Sequence, residues 1–81
     1  MDRTQDEWIA ELRRWIWHEP FRAFIIELKS GKRIKAVAPQ AVGFGGNSAG
    51  VILPGGIPES FPILDIARIY EAQDAQAAHA G

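Results

Sequence analysis

The stretch FIIELKSGKRIKAV, residues 24–37, decides the architecture. After Pro20 apolar side chains recur every second residue, Phe24, Ile26 and Leu28 on one face and Phe21, Ala23 and Ile25 on the other. Glu27 and Lys29 mark where the second face reaches water. A period of two is the signature of a strand, and two apolar faces make it a strand covered on both sides for much of its length. KSGK then supplies a tight turn at Ser30-Gly31, and KRIKAVAP returns as a second strand that ends at Pro39, with Ile34, Ala36 and Ala38 on one face. This hairpin is the strongest local signal in the chain.

Upstream, the period changes. In DEWIAELRRWIWHEP, residues 6–20, the side chains Trp8, Ile9, Leu12, Trp15 and Ile16 share one helical face, and Thr4 or Asp6 can cap the start. Pro20 disfavours helical geometry at Glu19, so the helix is expected to stop near Trp17 or His18. Trp17 points away from the stripe; it either packs at the helix end or stands exposed as an anchor for a partner.

Downstream, AVGFGGNSAG (41–50) reads as a short strand around Val42 to Phe44 followed by a glycine-rich turn, and VILPGG (51–56) as another short strand closed by Pro54-Gly55-Gly56. FPILDIARIY (61–70) is the last ordered element. It reads as a strand, although Ile66, Ile69 and Tyr70 also fit a helix running into the alanine-rich end. The expected domain is therefore residues 1–72, mainly β with an N-terminal α-helix and five strands, followed by a flexible or weakly helical tail at 73–81.

An 81-residue chain is one small domain, in a size range where a core contributes only roughly 3 to 5 kcal/mol net. Cysteine is absent and His18 and His79 are the only histidines, so neither a disulfide nor a Cys/His zinc cluster can staple the fold. Oligomerisation is the remaining common device. No apolar run approaches a membrane span, and MDRTQDEW is acidic where a secretory signal is basic, which points to a cytoplasmic protein without a membrane anchor. Net charge is −1, but the bases Arg22, Lys29, Lys32, Arg33 and Lys35 crowd into residues 21–38 beside a single acid. Such segregation makes either a local anion-binding patch or a solvated hairpin whose lysines discourage stray strand pairing.

Gly46-Asn47-Ser48-Ala49-Gly50 has the Gly-x-Ser-x-Gly spacing of a hydrolase nucleophile. That chemistry needs a strand before the serine and a helix directly after it, whereas VILP follows here. Asp65 or Asp74 with His79 supplies a triad order, but His79 stands three residues from the end, where nothing fixes it as a base. Gly43-Phe44-Gly45 lacks the third glycine of a dinucleotide fingerprint, and Gly50 is not followed by the Lys and Ser/Thr of a phosphate loop. Asp6, Glu7 and Glu11 lie in the first turns of a helix, where the dipole favours acids. The expectation is a non-enzyme with no cofactor and no metal.

The N-terminal helix, FIIELKSGKRIKAV, the short strands and the closing PILDIARI together resemble the Sm-like fold, in which a bent five-stranded sheet closes into a small barrel; SH3-like barrels are the near alternative. The sequence also resembles short bacterial proteins with an N-terminal helix, a PFRAF lead-in and an ELKSG hairpin, a likeness that carries no activity. The Sm-like resemblance implies the barrel and a tendency to form rings through strand edges. The family's Asp-x-hydrophobic-x-Asn signature is absent: the corresponding stretch is APQAVGFGGN, with Asn47 its one candidate, and PGGIPES has no basic residue.

Two functional expectations follow. The first is a small β-barrel module acting in assembly or protein interaction through homo-oligomer formation. SAGVILP carries no charge, and Ile52 alternates to the face opposite Val51 and Leu53, so this fourth strand is the expected open edge, pairing with the last strand, Ile66 and Ile69, of the next copy in a ring. The second is RNA binding by Lys29, Lys32, Arg33 and Lys35 with Phe44 and Asn47. In either case Ser48 is a turn residue, and Ser48→Ala is expected to leave the denaturation midpoint and any activity nearly unchanged; a stable adduct at Ser48 with a fluorophosphonate probe contradicts this.

Overall fold

The structure is a computed structural model that describes residues 3–72. Helix α1 (Gln5–Ile16) starts at Thr4, where the capping choice falls: the Thr4 hydroxyl accepts from the Glu7 N–H at 3.2 Å, and the Glu7 carboxylate accepts from the Thr4 N–H at 2.7 Å. This reciprocal pair satisfies two of the amides that a helix start leaves without partners. Trp17 closes the helix by donating its N–H to the Arg13 carbonyl at 2.9 Å. Trp8 and Leu12 are buried, and Ile9, Trp15 and Ile16 pack partly buried against the same core. Trp17 is 70% exposed, which settles its alternative in favour of the surface.

Strand β1 (Phe24–Leu28) pairs antiparallel with β2 (Arg33–Ala36) in the register Phe24 to Ala36 through Glu27 to Arg33. The turn falls at Ser30-Gly31 as the sequence indicates. Gly31 takes φ 95°, a conformation side-chain-bearing residues rarely adopt, and its N–H donates to the Leu28 carbonyl at 2.8 Å. Phe24, Ile26 and Leu28 are buried, while Ile25 and Glu27 are half-buried. A 3₁₀ turn at Pro39–Ala41 then leads into β3 (Val42–Gly45), which joins β4 (Ser48–Leu53) through Gly46-Asn47.

The chain's second half departs from the expected five strands. β5 (Ile57–Pro62) forms from IPESFP, where no strand is expected before Phe61 and where Pro58 and Pro62 interrupt the alternation. Residues 63–65 form a 3₁₀ turn, and β6 (Ile66–Glu71) follows. The segment FPILDIARIY is thus two strands divided by a turn, and its helical alternative is not adopted at 66–71. Pro62 ends one ladder, and the turn is held by the Ile63 N–H on the Asn47 carbonyl at 2.9 Å and the Lys29 N–H on the Asp65 carbonyl at 2.8 Å.

The six strands form two three-stranded antiparallel sheets, β2-β1-β6 and β3-β4-β5, in place of one closed five-stranded barrel. β2 lies against β4, so the sheets share a core, and α1 packs over it beside residues 63–65. Phe24, Leu12, Ile26, Ile63, Ile66 and Val51 are its largest fully buried side chains; the Phe24 ring centroid lies 5.4 Å from Trp15 and 6.1 Å from Phe21. Among the described residues no helix is long and apolar enough to cross a membrane. The tail reading at 73–81 lies outside the described residues.

Because Leu12 is 0% exposed and ties α1 to both sheets, Leu12→Ala is expected to cost about 2 to 5 kcal/mol. Urea denaturation measures it; a midpoint within error of wild type means that the helix does not dock.

Candidate functional site

The ladders leave specific backbone groups without partners, and these can be assigned residue by residue. In an antiparallel pair each residue turns its N–H and C=O to one side, and the side alternates along the strand. The Leu28 N–H donates to the Lys32 carbonyl at 2.8 Å, so even-numbered residues of β1 face β2 and odd-numbered ones face β6. On β6, Tyr70 stands opposite Ile25, and the Ala72 N–H donates to the Ala23 carbonyl at 3.0 Å. Ile69 and Glu71 therefore turn their N–H and C=O away from β1, to the side on which no strand pairs with β6 among the described residues.

The outer side of β5 is different. The Ile63 N–H reaches Asn47 across the β4–β5 ladder, so odd-numbered residues face β4, and Pro58, Ser60 and Pro62 face outward. Only Ser60 of these three carries an N–H. Proline on an edge strand is a recurrent way of preventing unwanted pairing.

A groove of ≈ 440 Å³ runs along β6, with Arg3, just before α1, and Trp8 and Glu11 of α1 on one wall and Leu64, Ala67 and Ile69 on the other. Arg3 and Glu11 also border a second depression of ≈ 550 Å³ that extends it toward Arg22 and Glu71. Leu64 is 49% exposed, the Arg3 guanidinium lies 4.6 Å over the Trp8 ring and pairs with Glu11, and Arg22 approaches Glu71 at 3.6 Å. The groove thus mixes apolar side chains, Trp8 and Leu64 among them, with the charged Arg3, Glu11 and Arg68, and one of its walls is the outer edge of β6.

On the outer face of the first sheet, one carboxylate organises its neighbours. Glu27 Oε1 accepts from Arg68 Nε at 3.1 Å and Tyr70 Oη at 3.3 Å, and also lies 3.0 Å from Arg68 Nη2 and 3.6 Å from Arg33 Nε. The hydrogen bond from Arg68, with that cation's charge, the Tyr70 hydroxyl and Arg33 behind it, outweighs burial and holds the Glu27 carboxyl below its ordinary value of 4.5.

The residues anticipated for anion or RNA contact do not form one surface. Lys29, Lys32, Arg33 and Lys35 belong to the β1–β2 hairpin, where Lys32 is ion-paired with Glu59 and Arg33 with Glu27. Phe44 is on β3 in the other sheet, with the Arg13 guanidinium 5.5 Å from its ring centroid, and Asn47 lies in the β3–β4 turn. The anticipated oligomer edge is corrected too. Val51, Ile52 and Leu53 lie on the central strand of their sheet, hydrogen-bonded on both sides, because the unforeseen β5 covers β4; Val51 itself is only 1% exposed. Ile66 and Ile69 do lie on an edge strand, but their side chains are buried and only the backbone is presented. Ser48 opens β4 opposite Gly45 and Pro62, and a strand, not a helix, follows it; Asp74 and His79 lie outside the described residues. The alternating prolines of IPESFP were the available signal for an edge strand, and the contribution of Arg3 and Arg68 to a groove had none.

Compared with protein-family models, with curated proteins and with solved structures, the chain gives no match.

The lowered Glu27 value has a directional consequence. A carboxyl depressed in the folded state stabilises the protein above its unfolded value, and this contribution fades as pH falls through the folded value. Thermal midpoints between pH 7 and 3 are expected to fall more steeply for wild type than for Glu27→Gln, whose deficit at neutral pH shrinks on acidification; parallel curves exclude the cluster as a contributor.

Proposed function

We propose that this chain is a non-enzymatic module of the small-barrel kind, Sm-like or SH3-like, acting in assembly or protein interaction by self-association through a strand edge. The likeness to such modules rests on β6 returning to β1 and on β2 lying against β4, which place six short strands in two sheets about one core without closing a barrel. The observation that carries the interaction part is the outer side of β6, where the Ile69 and Glu71 backbone groups turn away from β1, Ile69 beside the first depression and Glu71 beside the second. An unpaired edge is a template for another strand, and main-chain hydrogen bonds supply the affinity. A chain of this size without cysteine gains stability by such pairing.

RNA binding through the basic hairpin has weaker support. Lys32 and Arg33 already face carboxylates, and cations so neutralised release fewer counterions on meeting phosphate. The stacking residue Phe44 belongs to the other sheet.

Sedimentation equilibrium of nuclease-treated protein across the micromolar range is expected to show self-association. Glu71→Pro removes an outward N–H without touching the β1 ladder, and loss of that bond from both copies is expected to weaken association about tenfold to a hundredfold. Glu71→Ala removes only the exposed contact with Arg22, and is expected to change association no more than a few-fold. A wild-type monomer throughout the range overturns the self-association reading.

A further inference from the structure

We infer that β6 pairs antiparallel with β6 of a second copy about a two-fold axis at Ile69, extending the first sheet to six strands in the order β2-β1-β6-β6-β1-β2. The inference rests on the reading of the β6 edge as a contact surface, and it names the partner and the register. The head-to-tail arrangement expected of a ring needs a complementary edge elsewhere on the chain, and the other strands among the described residues match it less well. The outer side of β5 presents Pro58, Ser60 and Pro62, one donor where a ladder needs three. β2 lies against β4. β3 is bordered by α1, with Arg13 over Phe44 and the Gln5 side-chain amide donating to the Gly46 carbonyl at 2.9 Å. The edge best matched to β6 is therefore β6 itself, an isologous contact that closes at two copies.

Alternation restricts the register. On the C-terminal side of the register shift opposite Glu27 and Leu28, the residues of β6 that face outward are Ile69 and Glu71, so an axis that pairs them falls at Ile69, at Tyr70 or at Glu71. An axis at Glu71 sets two carboxylates directly opposite each other, which is destabilising. An axis at Tyr70 sets Glu71 opposite Ile69, an acid against a residue whose side chain belongs to the core. An axis at Ile69 sets Arg68 opposite Tyr70 of the second copy twice, and brings Glu71 toward the exposed Ala67 at the register shift. Arg68 is prepared for this contact: its guanidinium already lies 4.7 Å from its own Tyr70 ring centroid and is held by Glu27 at 3.0 Å. Pairing leaves it between two aromatic faces with its carboxylate retained. The two depressions of ≈ 440 and ≈ 550 Å³ provide the space in which the second strand lies between α1 and β6.

The chain has no cysteine of its own, so introduced thiols report the register directly. Arg68→Cys and Tyr70→Cys proteins, mixed in equal amounts and mildly oxidised, are expected to give a covalent heterodimer several-fold in excess of either homodimer, because a non-hydrogen-bonded antiparallel pair places Cα atoms about 4.5 Å apart, within disulfide reach. Cross-linking of Tyr70→Cys alone in comparable yield indicates the axis at Tyr70 and overturns the register. Amide exchange on the unmodified protein tests the same surface: protection at Ile69 and Glu71 is expected to rise with concentration. Self-association that leaves both amides unprotected overturns this inference while the broader reading stands, and a monomer at every concentration overturns both.

Discussion

The register of β1 is the constraint on which the rest of the molecule depends. It is the only strand of its sheet paired on both sides, and its alternation performs two tasks together. Phe24, Ile26 and Leu28 send their side chains into the core, and the same three residues carry the ladder to β2. A slip of one residue inverts both at once, exposing the Phe24 ring on which Trp15 and Phe21 pack and turning Glu27 inward. The alternation passes to β6 through pairs such as Ile25 and Tyr70, and it fixes which backbone groups of the last strand remain without partners. The proposed interaction surface is thus set by side-chain burial on the neighbouring strand.

The first half of the fold is legible in the sequence because local and tertiary preferences agree there. Thr4 and Glu7 form a capping box by themselves, the stripe from Trp8 to Ile16 has helical spacing, and Ser30-Gly31 supplies the turn that FIIEL and RIKA need. The second half is legible only in part. Ile57 to Pro62 has neither strong alternation nor β-branched density, and its extended state comes from its neighbour β4, which would otherwise lose a ladder on one side. Missing that strand displaced the expected edge from the outside of the sheet to its centre. Ile66 and Ile69 were placed on the right strand for a reason the burial pattern modifies, since an edge strand can hide its side chains and still present its backbone.

Charge followed the same division. The cluster of bases at residues 29–35 is visible in the sequence, but the acids that answer it, Glu59 from β5 and Glu27 from the preceding strand, become neighbours only through sheet pairing. A cationic segment in the sequence is consequently a row of alternating sign on the surface. Arg33, Glu27 and Arg68 run across three adjacent strands, the acid in the middle, and the order of that row is a property of register that linear spacing does not contain.

The prolines of β5 have a consequence for how the chain behaves when crowded. A sheet protein with two compatible edges is bivalent, and each addition regenerates the end it consumed, so that growth has no natural stopping point. Pro58 and Pro62 remove one of those ends. A molecule that pairs only through β6, as proposed, is a chain terminator of its own polymer: once that edge is occupied, nothing among the described strands remains to recruit the next.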